Sequence, residues 1–266
     1  MLHLDKQFFF LSGLPRSGST VLTALLNQNP QIYATPTSPL LDFLYLTEQQ
    51  WRQNESVMAN PNQKQMLNVS EGIINGTWKH VDEPIIIDKH RAWARNSPIL
   101  NSIFGHDKVI ATVRDLPEIA ASFLMLIRES PYSNSIDKAL GENGMEVTDE
   151  NRCDLVMNNY VRDPWMSLKE RYDSKKENLL LLDYDKIVES PIAVMKEIYE
   201  FLNIDSYDDH DIHNISHVEE NDSDAWGIPN LHKVRSRLKK TSPKPEEILG
   251  KKLCEKYKSL GYEFWR

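Results

Sequence analysis

The chain has 266 residues, of which 40% are hydrophobic, 26% charged and 9% aromatic, with only ten glycines. A chain of this length buries roughly 75% of the surface its unfolded form exposes, so its core needs no disulfide or metal staple; collagen-like, disulfide-scaffold and wholly disordered classes are excluded. Its 31 Lys and Arg against 39 Asp and Glu leave a net charge of −8, which argues against a general nucleic-acid coat.

Four near-continuous apolar runs read as buried strands: Phe8–Ser12, Pro84–Asp88, Lys108–Val113 and Asn178–Asp183. Blocks of this kind, rather than alternating ones, are expected where helices cover both faces of a sheet. Helical patterns follow the first strand at Thr20–Gln28, the third at Asp115–Arg128 and the fourth at Asp185–Leu202. Asp115 and Asp185 stand at N-cap positions, and Pro117 suits a first helical turn. Pro131–Glu150, rich in Asn, Ser, Gly and Glu, reads as a mobile loop, and Asn151–Tyr172 as a further helix. Strand then helix, repeated, predicts an α/β fold with a mostly parallel sheet.

Beyond residue 203 the charge is segregated. Asp205–Asp224 holds eight carboxylates and no Lys or Arg, whereas Trp226–Arg266 holds eleven Lys or Arg against four Glu. Glu246–Leu260 carries Leu249, Leu253, Tyr257 and Leu260 at helical spacing, which predicts a helix packed back onto the domain. There are no repeats and no long linker, so residues 1–266 read as one domain: a core at 8–203, then an acidic connector and a basic C-terminal segment at 204–266. Cys153 and Cys254, about a hundred positions apart, read as reduced thiols. Met1–Gln7 lacks the basic start of a signal peptide and no stretch approaches the ~20 apolar residues of a membrane span, so a cytoplasmic location is expected.

The strongest local signal is Gly13-Leu-Pro-Arg-Ser-Gly18-Ser19-Thr20, directly after a strand and before a helix. Glycines five apart followed by a hydroxyl residue match the frame of a phosphate-binding loop, in which successive backbone N–H groups and a helix N-terminus converge on an anion. Ser19 stands where a nucleotide triphosphatase has its lysine, and the cation appears instead inside the loop at Arg16. That substitution suits an anion of lower charge than a Mg–triphosphate.

Leu14-Pro-Arg-Ser-Gly-Ser-Thr-Val-Leu22 resembles the 5′-phosphosulfate loop of sulfotransferases that use 3′-phosphoadenosine 5′-phosphosulfate (PAPS), most closely the tyrosylprotein and bacterial members. Val109–Phe123, a strand ending in Arg114 with Ser122 eight residues later, resembles that family's 3′-phosphate motif, and the block Leu179–Pro191 resembles the one whose Tyr, here Tyr184, lies near the adenine. The resemblance spans residues 8 to about 203. It implies a three-layer P-loop-like fold with a parallel sheet of about five strands. It also implies PAPS as sulfuryl donor and 3′,5′-adenosine bisphosphate (PAP) as product, held by Arg16, Ser17, Gly18, Ser19, Thr20, Arg114, Ser122 and Tyr184, with no metal. The acceptor would be a hydroxyl on a small metabolite, sugar, lipid or peptide.

In-line sulfuryl transfer needs a base for the acceptor proton and positive charge on the departing oxygen. His90, after the second apolar run, matches the place of the catalytic His of the small-molecule members, and Lys89 or Arg16 is the candidate for the departing oxygen. The Glu that tyrosylprotein members carry after the first helix is replaced by Ala34-Thr-Pro-Thr-Ser38, with no carboxylate before Asp42. Other readings stay open. Ile85-Ile-Ile-Asp88 has the look of a kinase's Mg²⁺-binding strand, and a PAP-binding protein without turnover would keep the same cradle. His210, His213 and His217 have a spacing that metal ligands could share. Lys233, Arg235, Arg237, Lys239 and Lys240 form a basic run suited to closing over a bisphosphate.

Overall fold

The computed structural model describes residues 2–238, 244–261 and 263–266. In chain order the elements are β1 (Gln7–Gly13), α1 (Ser19–Leu26), β2 (Ile32–Ala34), α2 (Leu40–Gln53), α3 (Glu55–Ala59), α4 (Gln63–Thr77), β3 (Ile85–Lys89), α5 (Ser97–Ile99), β4 (Val109–Val113), α6 (Leu116–Glu129), α7 (Ser135–Glu142), α8 (Asp149–Val156), α9 (Arg162–Lys175), β5 (Leu179–Asp183), α10 (Tyr184–Glu189), α11 (Pro191–Leu202), α12 (Asp222–Trp226) and α13 (Pro245–Lys258). The strands form one five-stranded sheet in the order β2-β3-β1-β4-β5, every pairing parallel.

The apolar runs form central strands because both of their faces are covered. Phe8 and Phe10 pack into the core on one side of the sheet, and Phe9 and Leu11 into the core on the other. All four of the expected strands are present. β2 was not expected; three residues carry no readable pattern, and Ile32 finds its place only by pairing with Ile85. The chain leaves β1 for the β2–β3 side and later crosses to β4 on the other side, so a crevice opens at the C-terminal ends of β1 and β4, where open α/β sheets bind ligands.

Several local expectations need correction. The helix expected over Asp185–Leu202 is two, α10 and α11, because Pro191 cannot continue a helix and starts a new one. Asp183, not Asp185, caps α10: its carboxylate accepts the Asp185 N–H at 2.9 Å. The stretch expected as a mobile loop, Pro131–Glu150, contains α7, whose Ile136 and Leu140 are buried. Asp137 on α7 accepts two hydrogen bonds from the Arg152 guanidinium, at 2.7 and 2.8 Å, and this pair ties α7 to α8. The C-terminal helix α13 packs on α6 as expected, through Leu249, Leu253 and Tyr257. It is kinked at Gly250, whose φ of 73° is left-handed.

Candidate active site

The loop after β1 is shaped by two glycines. Gly13, at φ 144°, lies so close to β4 that a Cβ there would sit 2.4 Å from Thr112 Oγ1. Gly18, at φ 91°, takes the N-cap position of α1, and a Cβ there would press on the Tyr184 ring at 3.1 Å. Between them Arg16 is itself left-handed, at φ 57°. Ser17 is fully buried, and its hydroxyl is spent inside the protein, 2.5 Å from the Leu14 carbonyl and 2.6 Å from Thr112 Oγ1. Of the expected anion-binding residues, Ser17 therefore has only its backbone N–H to offer; its side chain pins the loop to β4.

The residues of the two phosphate motifs meet. Arg16 Nε donates to Ser122 Oγ at 3.0 Å, and its guanidinium also donates to the Leu231 carbonyl. Arg114 leaves the end of β4 almost fully buried, lies over the Tyr184 ring with 3.9 Å to the centroid, and donates to the Arg16 carbonyl at 2.9 Å and to Glu118 Oε2 at 2.8 Å. Burial, together with the charge of Arg114, brings the Arg16 guanidinium down to about 10. Two guanidiniums whose charges act on each other in a desolvated place are stabilised by a nearby anion.

A cavity of about 440 Å³ opens over this arrangement. Arg16, Gly18, Ser19, Thr20, Arg114, Ser122 and Tyr184 all line it. So do Arg91, Lys233, Arg235 and Arg237, which the C-terminal segment and the start of the helical turn after β3 contribute. Lys239 and Lys240 of the basic run lie outside the described residues. The cavity thus carries six guanidinium or ammonium groups against Glu118 and Glu129, a cradle for a ligand with more than one phosphate-like group.

Next to the lining residue Thr20, Lys89, the last residue of β3, reaches Thr20 Oγ1 at 3.4 Å. Burial brings its ammonium down to about 8, opposed by Glu220. Next to it, His90 caps a helical turn: Nδ1 accepts the Ala92 N–H at 3.2 Å, while Nε2 lies 3.4 Å from Asp42 Oδ1 on α2. Burial holds His90 below its ordinary value against the pull of Asp42. Asp88 serves structure. Its carboxylate accepts the Ser38 hydroxyl at 2.5 Å and Trp93 Nε1 at 2.7 Å, and desolvation pushes it up to about 6. Fully buried and absent from the cavity lining, Asp88 is out of reach of an ion held there, which removes the strand feature that favoured a kinase.

The three histidines singled out by spacing are not brought to one point. His210 stacks on Tyr199 and shares a 2.8 Å hydrogen bond with its hydroxyl, and the His213 backbone binds Asp211. His217 Nε2 faces Glu220 Oε1 at 3.7 Å. A group that spacing did not suggest lies beside Lys89: Glu220, Asp222 and His232, with ligand-type atoms within 4.8 Å of one another. Asp222 accepts His232 Nδ1–H at 2.6 Å and the His232 backbone N–H at 2.8 Å. Burial would raise Glu220, but His217, the Thr37 hydroxyl at 2.5 Å, His232 and Lys89 bring it down to about 2.

A Gly-shaped anion loop, an Arg–Ser pair one strand away and a Tyr beneath both agree with what the sequence of the whole core says: residues 9–209 match the profile of the Sulfotransferase family. The chain belongs to the sulfotransferase family. Over 216 residues it is 22% identical to protein-tyrosine sulfotransferase A of Caenorhabditis elegans, a match covering 77% of this chain and 52% of that protein. The chain thus spans about half the length of the curated relative it matches. Among solved structures it is similar to mouse sulfotransferase SULT7A1 complexed with PAP, with TM-score 0.55 and 17% identity over 100% of this chain and 87% of that one. It is also similar to retinol dehydratase in a complex with retinol and PAP, with TM-score 0.51 and 14% identity over 99% and 83%. At these identities the likeness is one of fold, and it agrees with the five parallel strands described above.

Arg91, Asp42, Glu220, Asp222 and His232 were not among the residues expected from the sequence. The last three lie in the segment where the family resemblance had faded, and only the closing of that segment over the cavity brings them to Lys89. No helix among the described residues is long and apolar enough to cross a membrane.

Proposed function

We propose that the protein transfers the sulfuryl group of PAPS to a hydroxyl acceptor and releases PAP. The observation that carries this reading is that the two phosphate motifs, a hundred residues apart in sequence, line one cationic cavity. The loop Gly13–Thr20 would hold the 5′-phosphosulfate through its N–H groups and Thr20. Arg114 and Ser122 would hold the 3′-phosphate, and Tyr184 would lie near the adenine. The basic run Lys233–Arg237 would neutralise the bisphosphate, so that residues 1–266 work as one unit. PAP in the two solved relatives named above supports the choice of donor.

In the reaction, the acceptor oxygen attacks sulfur in line and the departing 5′-phosphate oxygen gains charge, which Lys89 beside Thr20 would stabilise. His90 stands at the same rim as the expected base. Each of its ring nitrogens already has a protein partner, and the one with the lone pair, Nδ1, holds the Ala92 N–H, so taking a proton there first requires that hydrogen bond to part. The acceptor remains one of the hydroxyl classes expected above, a tyrosyl peptide included, given the tyrosylprotein relative. Two buried free thiols, Cys153 and Cys254, are in keeping with work in the reducing cytoplasm.

Calorimetric titration with PAP, 5′-AMP and Mg–ATP tests the reading. Selective, Mg-independent binding of PAP at micromolar or better is expected; preference for Mg–ATP would overturn it. PAP binding without acceptor-dependent turnover of PAPS would mean a binding protein that kept the cradle alone.

A further inference from the structure

Resting on the sulfuryl-transfer reading, we infer that His232, oriented by Asp222, is the group that takes the proton of the acceptor hydroxyl. Asp222 is buried and grips His232 twice, through its backbone N–H and through Nδ1. A carboxylate only accepts, so Nδ1 carries the proton and Nε2 keeps an unprotonated lone pair. Nε2 has no hydrogen-bond partner among the described residues, and His232 lines the cavity. A base within reach of the cavity, fixed in one tautomer by a buried carboxylate, is the arrangement in which histidines abstract protons.

His232 is also tied to the phosphate loop through its neighbour. The residue before it, Leu231, takes the Arg16 guanidinium on its carbonyl, which ties this segment to the phosphate loop. Lys89, in contact with Thr20 at the start of α1, is near enough for its charge to act on the His232 ring. His90 differs on each point. Its Nδ1 lone pair already accepts the Ala92 N–H, so the neutral ring carries its proton on Nε2, toward Asp42.

While the acceptor oxygen bonds to sulfur, its proton passes to His232 Nε2. The bond from sulfur to the 5′-phosphate oxygen breaks, and the electron pair stays on that oxygen, beside Lys89. The new imidazolium faces two carboxylates, Asp222 at 2.6 Å and Glu220 at 3.6 Å, and later gives its proton to solvent. The charged and titratable groups acting on the ring are these two carboxylates and Lys89; burial holds the free imidazole below its ordinary value. Trp226 covers one side edge-on, with 6.0 Å between ring centroids.

The test uses the full chain and reads PAP binding by calorimetry and PAP formation from PAPS across pH, with water, phenol and 4-nitrophenol as acceptors. His232→Gln is expected to bind PAP within about twofold of the unaltered protein and to form PAP roughly 10²–10⁴-fold more slowly. The ascending limb of its pH profile should be gone, and the loss should be smallest with 4-nitrophenol, which ionises without help. His90→Asn should keep the limb. Full rate and an intact limb in His232→Gln, or loss of the limb in His90→Asn, would overturn the assignment. Nitrogen-15 NMR of the histidines with PAP bound needs no turnover: an Nδ1–H tautomer at His232 is expected, and an Nε2–H tautomer would overturn it. If the unaltered protein does not bind PAP, the donor reading itself has failed, a result no histidine variant would mimic.

Discussion

The guanidinium of Arg114 lies over the ring of Tyr184, 3.9 Å from its centroid, and the same ring lies against the αL glycine that starts α1. The contact joins three separate stretches of chain, the phosphate loop, the end of β4 and the start of α10, at one wall of the cavity. It holds Arg114 over an aromatic face while Glu118 and the Arg16 carbonyl take hydrogen bonds from it.

Arg114→Ala should therefore weaken PAP binding and leave 5′-AMP nearly unaffected. A charge-assisted hydrogen bond is worth about 1.5–3 kcal/mol, so a loss of roughly 10–150-fold is expected for PAP. Titration of both nucleotides into the variant checks this. Equal losses for PAP and 5′-AMP would remove the 3′-phosphate assignment.

Ser17→Ala should lower stability by about 1–3 kcal/mol, because it leaves the Thr112 hydroxyl and the Leu14 carbonyl without the partner they share in a buried place. Urea unfolding without ligand measures the effect. Unaltered stability together with a large loss of PAP affinity would mean that the Ser17 hydroxyl turns to the ligand after all.

The pH dependence of kcat/KM should be bell-shaped, since it reports groups of the free enzyme. His232 must be neutral to accept a proton, and burial holds it below the ordinary imidazole value, so the rate rises with pH through the acid range. Lys89 must be charged, and its value lies at about 8, so the rate falls as pH rises through that region. Lys89→Arg, whose guanidinium stays ionised, should remove the descending limb while lowering the rate. A descending limb that persists at the same pH in that variant would assign it to another group.

EDTA should leave sulfuryl transfer unchanged, because in the proposed reaction a protein cation, Lys89, serves the departing oxygen. Loss of activity in chelator, restored by a divalent ion, would put a cation among Glu220, Asp222 and His232, whose atoms are close enough to share one. It would also withdraw His232 as base, since its Nδ1 would then bind metal instead of donating to Asp222.

Local chemistry wrote the core of this fold and half of its site into the sequence. Continuous apolar strands, the glycine pair of the phosphate loop, and Arg114 with Ser122 each depend on residues near one another in the chain or on a fixed strand-to-helix spacing. They could be read without knowing what lay across the sheet. The role of Ser17 could not, because its hydroxyl is taken by Thr112 on a neighbouring strand. The constraint on His90 comes from Asp42 on α2. The Asp222–His232 pair reads locally as an ordinary acidic-to-basic connector, and only its packing near Lys89 makes it the base proposed above. Backbone conformation is governed by near neighbours, whereas hydrogen-bond partners and desolvation are properties of the packed chain; the sequence alone determined the cradle, and only the tertiary structure decided which of its titratable groups can act.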